Sequence, residues 1–292
     1  MRWIVDSPLT ILEFAAKAFP DSSRTSLREW ISLGRFIVNE RAITDTRTSL
    51  NVGDAIQFVS KPPAYRGEPF SIAYEDDDLV VVDKPSGLLS VARDTGDEES
   101  VHSHLKERYR KTVYVVHRLD QETSGLILFA RTYDAYVKLK EELKVRKMKR
   151  CYEAILEGQL EGKGTWECYL KEEGSFRVLA SENPYPSYEF AATDYRVLKS
   201  SMRYTRVECY LQTGKKHQIR VHAQRAGCPV AGDERYGSTR EVPRLCLHAK
   251  ELTFTHPRTG KVMTLKSPTP RLFDKMVAYR KQRPYQSKEK TV

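Results

Sequence analysis

The sequence predicts an α+β protein: a mixed, mainly antiparallel sheet forms the body, and a small unit of helices and strands precedes it. Three observations carry that prediction. From Phe70 onward, apolar runs of strand length recur between turn residues: FSIAYE, LVVVDKP, VYVV, LILFA, CYEAILEGQL, YEFAATDYRVL, YTRVECYLQT and LCLHAKELTF. Helical patterning interrupts them only briefly, in ESVHSHLKERYR, YDAYVKLKEELK and KKHQIRVHAQRAG. KPPAYRGEP, residues 61–69, has three prolines and a glycine and reads as a linker.

Residues 1–60 form the small unit. TILEFAAKAF has helical periodicity, and Asp21, Ser22 and Ser23 offer caps for a second helix, SRTSLREWISL, ended by Gly34. Two short strands, FIVNERAI and DAIQFV, follow, with Asn51 and Gly53 marking the turn between them. Arg24 and Arg28 lie one turn apart on the second helix and Arg35 follows its end, which gives the unit a basic face. The order helix, basic helix, Gly-Arg step, "V-N" strand and "L-N-V-G-D" resembles the alpha-L (S-four-type) RNA-binding domain over about 50 residues. The alternative is an amphipathic helical cap with no part in RNA binding.

The remaining 70–280 form the main domain, and KQRPYQSKEKTV from Lys281 to the end reads as a disordered basic tail. Net charge is +10, which fits a polyanionic partner. The charge is also clustered. Lys138–Arg150 holds seven basic and two acidic residues, and Lys199–Arg225 holds seven and one. The five cysteines, at 151, 168, 209, 228 and 246, share no metal-ligand spacing and read as reduced structural thiols. No apolar run approaches a membrane span, and the first residues are no signal peptide, so the cytoplasm is expected and a membrane is not.

Chemistry concentrates in HRLDQETSG, residues 117–125, a charged loop between two apolar runs. It sets Asp120 between His117-Arg118 and a turn of small residues. Three later segments add to it: Tyr152 behind a cationic run, Arg220 in LQTGKKHQIRVHAQRAG, and Leu247-His248 on a strand. His217 and His222 lack the i, i+4 spacing of a zinc helix and read as RNA contacts or structural histidines. An Asp, a Tyr, an Arg and aliphatic side chains on a basic surface suit a pocket for a nucleobase. Lys84, in VDKPSG, reads equally as an RNA contact or as part of a strand-end turn. Gly232, Asp233 and Gly237 read as a turn in which the Asp233 side chain bonds its own backbone.

Taken in order, KPSGLLS, HRLDQETSG, KRCYEAI, TGKKHQIRVHAQRAGCPVAGDERYG and LHAKEL resemble the RluA family of pseudouridine synthases, over residues 70–270. The resemblance implies a catalytic Asp120, a Tyr152 that stacks on uracil, and an Arg220 paired with the aspartate. It further implies Leu247 as a pocket wall and Arg118 as the loop arginine that displaces the flipped base. Gln121-Glu122 and Lys215-Lys216 depart from the family's usual pairs and bear on substrate contacts. Neither departure touches the chemistry.

The implied reaction breaks the bond from ribose to ring nitrogen, turns the uracil, and rejoins it through carbon five. Nothing is added or lost, so no cofactor and no metal are expected. RNA is the expected partner: ribosomal RNA of the large subunit first, with tRNA as the alternative. No DNA is expected, and the chain should act as a monomer. Two rivals remain. A catalytically silent RNA-binding or ribosome-assembly protein would lack Asp120 or Tyr152. A nucleoside glycosidase would need a second working carboxylate.

Overall fold

A computed structural model describes residues 2–32, 35–39, 41–43, 45–59, 70–92, 99–174 and 177–278. Gly34, the linker 61–69 and the tail 281–292 lie outside the described residues. The chain divides into two compact units: Met1–Gly67 with Ala92–Glu99, and Glu68–Val91 with Ser100–Val292.

The first unit runs β1 (Arg2–Ile4), β2 (Leu9–Thr10), α1 (Ile11–Ala18), α2 (Arg24–Ser32), β3 (Phe36–Val38), β4 (Arg41–Ile43), β5 (Ser49–Leu50) and β6 (Ala55–Phe58). Thr10 and Glu13 close a capping box at the start of α1. Of the three cap candidates for α2, Ser23 does the capping, its Oγ accepting from the Ser26 N–H at 3.1 Å. The expected strand FIVNERAI is in fact two. Asn39 turns at φ 46, a left-handed conformation that Asn tolerates, and the segment folds into the hairpin β3–β4. The Asn39 side chain fixes that turn, donating to Asp54 Oδ1 at 2.7 Å and accepting from the Ala55 N–H at 3.0 Å. The sheet order is β1-β6-β3-β4, and β2 pairs β5. Ile11, Leu27, Ile31, Phe36 and Ile56 are buried at its core.

The second unit begins with β7 (Ser71–Glu75), β8 (Leu79–Lys84), α3 (Val101–Tyr109), β9 (Tyr114–Val115), β10 (Ser124–Ala130) and α4 (Tyr133–Lys144). It continues with β11 (Lys149–Glu157), β12 (Lys163–Glu173), β13 (Arg177–Ser181), β14 (Glu189–Ser200) and β15 (Tyr204–Leu211). Then come α5 (Gln218–Arg225), a 3₁₀ turn (Glu234–Tyr236), β16 (Leu247–Thr255), β17 (Val262–Lys266) and α6 (Arg271–Met276). Eleven strands form one sheet in the order β13-β12-β14-β15-β11-β16-β10-β8-β7, with β17 beside β16 and β9 beside β10. All its ladders are antiparallel but one: β10 and β16 run parallel, Ser124 opposite His248 and Gly125 opposite Ala249.

That junction is tight. A Cβ at Gly125 would stand 2.2 Å from the Ala249 carbonyl oxygen, and Gly125 sits at φ +109, so both space and conformation demand glycine there. Leu79, Val81, Leu126, Leu128, Leu139 and Phe254 are buried together, which seats α4 on the sheet. The sequence reading did not resolve β12, β13 or β17.

Successive residues of β11 point to opposite faces. Tyr152 faces the cleft described below, and Glu153 faces the other side. There, fully buried Glu153 accepts from Arg206 at 2.5 Å and pairs with Lys250 at 3.0 Å. Lys250 also reaches Glu208 at 2.9 Å, and Glu208 in turn takes Arg196 and the Tyr210 hydroxyl. Each acid of this back-face network has at least two donors.

Candidate functional site

The turn carrying Asp120 is clamped from below by the segment after β8. Lys84 is fully buried, and its Nζ donates to three carbonyls: Pro85 at 2.9 Å, Leu88 at 2.8 Å and Gln121 at 2.9 Å. Burial pushes its ammonium down to about 7. Ser90 both donates to the Leu119 carbonyl (2.7 Å) and accepts from the Leu119 N–H (3.0 Å). Gly87 N–H donates to the Gln121 carbonyl at 2.8 Å. Of the two readings of Lys84, this geometry fits the turn, since the ammonium faces backbone and not solvent.

His117 is buried as well. Its Nε2 accepts from the Leu128 N–H at 3.2 Å, and burial pushes the imidazole down to about 3, so it is neutral. It pins the turn to β10. Arg118, the next residue, is exposed at the lip of the cleft.

One cleft of about 200 Å³ gathers Arg118, Asp120, Tyr152, Arg220 and Leu247. Topology explains the convergence: β11, β16 and β10 are neighbours at the centre of the sheet, bringing Tyr152, Leu247 and the Asp120 turn side by side. Helix α5 supplies Arg220. The start of α5 is fixed by Gln218, whose Nε2 donates to the Ala192 carbonyl (2.9 Å) and Thr193 Oγ1 (2.8 Å), while its Oε1 accepts from the Lys215 N–H (3.0 Å).

Arg220 stands between two aspartates. Its Nη1 donates to Asp120 Oδ2 at 3.2 Å, while Nε and Nη2 fork onto Asp233 at 2.7 and 2.8 Å. Asp233 is 2% exposed and makes no side-chain bond to its own turn, which corrects the turn reading of that residue. Its carboxylate was spent on the arginine because burial left that guanidinium in need of a balanced, bidentate partner. The Tyr236 ring lies 5.2 Å from the guanidinium carbon, and the Tyr236 hydroxyl bonds His217 Nδ1 at 2.7 Å.

Burial pushes the Asp120 carboxyl up, yet Arg220, by its charge and its hydrogen bond, and Arg118 outweigh it and hold the group below its ordinary value. Burial also pushes His217 down to about 3, although Asp120 opposes this. At neutral pH that imidazole is uncharged, so the arginines keep Asp120 ionised. The cleft therefore offers a charged carboxylate, an aromatic face at Tyr152 (6% exposed) and an apolar wall at Leu247. A planar base fits such a setting. His222 is buried on Thr193 Oγ1 and burial pushes it down to about 4, in keeping with a structural histidine.

In the first unit Arg24 and Arg28 are exposed on α2, whereas Arg35 is half-buried. Its Nε donates to the Val59 carbonyl at 3.1 Å, and its guanidinium packs 4.9 Å from the Trp30 ring and 4.5 Å from Phe58. Two of the three arginines thus form the exposed basic face.

Sequence reasoning expected no metal cluster, but among the described residues the fold assembles one group of potential ligands, Asp76, Asp78 and His256. These side chains already serve each other and the turn before β8. Asp76 takes His256 Nε2 at 2.6 Å and the Tyr74 hydroxyl at 2.7 Å, and Asp78 takes Arg258 at 2.5 and 2.7 Å. The group lies at the opposite end of β8 from Lys84. All five cysteines are free and buried. No helix among the described residues is long and apolar enough to cross a membrane.

Comparison with known proteins matches residues 78–225 to the family model described as RNA pseudouridylate synthase. That span includes Asp120, Tyr152 and Arg220. The chain is 32% identical over 280 residues to the "Ribosomal large subunit pseudouridine synthase D" of Haemophilus influenzae, covering 87% of this chain and 86% of that one. The protein of the same description from Pseudomonas aeruginosa is 32% identical over 288 residues, covering 89% and 88%. Among solved structures, "Human RNA Pseudouridylate Synthase Domain Containing 1" superposes with a TM-score of 0.59 at 25% identity, over 70% of this chain and 86% of that one. "Human RNA Pseudouridylate Synthase Domain Containing 4" gives 0.57 at 24%, over 69% and 89%, a likeness of fold.

Proposed function

The chain belongs to the RNA pseudouridylate synthase family, and on that footing we propose that it converts uridines of large-subunit ribosomal RNA to pseudouridine through Asp120. The protein is an RNA pseudouridine synthase, an isomerase of its RNA substrate. The choice of ribosomal RNA draws support from the descriptions of its relatives. The observation that carries the residue assignment is the line Asp120–Arg220–Asp233 opening onto Tyr152 and Leu247.

In this reading the target nucleotide leaves its stack at a cost of a few kcal/mol, which stacking on Tyr152 and the entry of exposed Arg118 into the vacated space offset. Asp120 acts as the ionised group at the ribose or the ring while the glycosidic bond breaks. Tyr152 and Leu247 retain the uracil as it turns; carbon five then takes the anomeric carbon and gives up its proton, and the freed ring nitrogen gains one. Arg220, held in place by Asp233, keeps the carboxylate charged throughout. Asp233 itself is enclosed behind the arginine, so the cleft does not present it as the second working acid of a glycosidase. Arg24 and Arg28 in the first unit bind RNA phosphates and take no part in the chemistry.

Mapping pseudouridines in ribosomal and transfer RNA from a deletion strain tests this. Restoring the wild-type gene should return one or more ribosomal sites, and Asp120→Asn should return none. Sites restored only in tRNA would overturn the substrate assignment, and full restoration by Asp120→Asn would overturn the residue assignment.

A further inference from the structure

The same cleft holds a cation that this chemistry leaves unused. Five basic side chains line it: Arg118, Arg150, Lys215, Lys216 and Arg220. Three of them have acids. Arg220 has Asp120 and Asp233, Lys215 has Glu189 at 2.5 Å, and Lys216 has Glu172 at 3.2 Å. Arg118 is exposed, and water solvates its charge.

Arg150 differs from all of these. Among the described residues it enters no ion pair, and its one hydrogen bond is a long one, Nη2 to the Thr213 carbonyl at 3.4 Å. Its Nε is sealed from solvent with no acceptor. A guanidinium carries five donors in a rigid fork and discharges them best onto a carboxylate or a phosphate.

Its position is also maintained by a neighbour. The Arg150 guanidinium lies against the backbone of Gly214, where a Cβ would stand 2.8 Å from Nη1 and 3.1 Å from Nη2. Gly214 does not occupy the left-handed region, so close approach, and not the turn, is what glycine provides there. Arg150 stands two residues before Tyr152 on β11, on the same face and about 7 Å along the strand. A nucleotide whose base lies on Tyr152 brings its flanking phosphates to that distance.

We propose that Arg150, parked on Gly214, is a phosphodiester subsite that grips the backbone beside the flipped nucleotide. The inference rests on Tyr152 as the stacking residue. Arg150 is a substrate-binding residue, and its contribution lies in affinity and register. Lys215 and Lys216, already paired with carboxylates, flank the subsite and guide the strand into it.

The test uses full-length protein and a stem-loop carrying a uridine mapped as above. Binding is measured across a salt series, and single-turnover rates at saturating enzyme. Arg150→Gln should weaken binding on the order of tenfold and lower the salt slope by about 0.7–0.9, a larger effect than on the saturated rate. Gly214→Ala, which displaces the guanidinium and keeps its charge, should weaken binding several-fold, and Arg150→Lys should recover part of the loss. A methylphosphonate at one flanking phosphate should cost wild type the same factor and cost Arg150→Gln nothing more. Additive losses at every flanking position, or an unchanged salt slope in Arg150→Gln, would overturn the subsite. If Arg150→Gln does not fold, Gly214→Ala and Arg150→Lys decide through the same methylphosphonate comparison. Wild-type enzyme that binds the stem-loop yet forms no pseudouridine would sink the functional reading and leave the binding result standing.

Discussion

Two ion-pair centres lie on opposite faces of strand β11, and they are built to different rules. On the back face, buried Glu153 is held by Arg206 and Lys250, and Glu208 by Lys250, Arg196 and Tyr210. Its acids have little capacity left over. In the cleft, Arg220 commits its shortest contacts to Asp233 and leaves one nitrogen, at 3.2 Å, for Asp120. Asp120 therefore keeps charge, partial exposure and unfilled acceptor sites. A structural network saturates its members, whereas a reactive one withholds a partner from the group that must act.

The sharpest way to break this contrast is Asp120→Asn. It should reduce single-turnover rates by several orders of magnitude, on the order of 10⁴ or more, and leave the melting temperature nearly unchanged. A large loss of stability would mean that Asp120 belongs to the structural class.

Next come the matched pair Asp233→Asn and Glu153→Gln. Asp233→Asn leaves buried Arg220 short of its bidentate partner and should cost about 3–5 kcal/mol in chemical denaturation. Glu153→Gln leaves half-buried Arg206 and Lys250, which keep Asp274 and Glu208, and should cost less. Only Asp233→Asn should also lower the rate per folded molecule, because it frees Arg220 to leave Asp120. Equal rates in the two variants would erase the distinction between the faces.

Acid should separate activity from stability. His117 and His217 are pushed down to about 3, and His222 to about 4, by burial. The unfolded chain takes up protons near the ordinary value of 6.5 while the fold stays neutral. The histidine contribution to stability is therefore complete above that pH and falls from there toward 3, each histidine adding up to about 1.4 kcal/mol per pH unit. The Asp120 carboxyl, held below its ordinary 3.8, stays charged over that upper range. Denaturation between pH 7.5 and 4.5 should show the decline in stability with no loss of rate per folded molecule. A rate that titrates near pH 6 would assign the chemistry to a histidine.

The smallest effect is expected from Arg196→Gln, an exposed donor to an acid with other donors. Its melting temperature should be unchanged within error. A clear drop would show that the back-face network has no redundancy.

Much of the site was legible because its residues sit in ordered segments of distinctive chemistry. Asp120, Tyr152 and Leu247 stand in HRLD, KRCYEAI and LHAKEL, and the strands that carry them are apolar enough to read directly. Asp233 was misread because an acid beside a glycine looks like a turn, and burial is not written in local sequence. FIVNERAI looked like one strand because its break depends on Asn39 adopting a left-handed conformation. Strand β12, KGTWECYLKEE, alternates Trp166, Cys168 and Leu170 with polar residues, so its signal was present under the charge. The alternation of β11 likewise puts Arg150 on the face of Tyr152, although nothing in the sequence says which cations will lack an acid.

The one parallel pairing in the sheet joins residues 124 positions apart, Ser124 and His248, whose side chains bond at 2.8 Å. The Asp120 turn is synthesised early and the Leu247 wall late. A chain emerging from the ribosome thus carries the whole Asp120 turn well before it can enclose a base. Contacts of such separation form slowly and reward the chain only at the end. The cleft can close around a base only after β16 has docked on β10. Fragments ending before residue 247 lack the Leu247 wall and the β16 partner of β10, and should have no turnover.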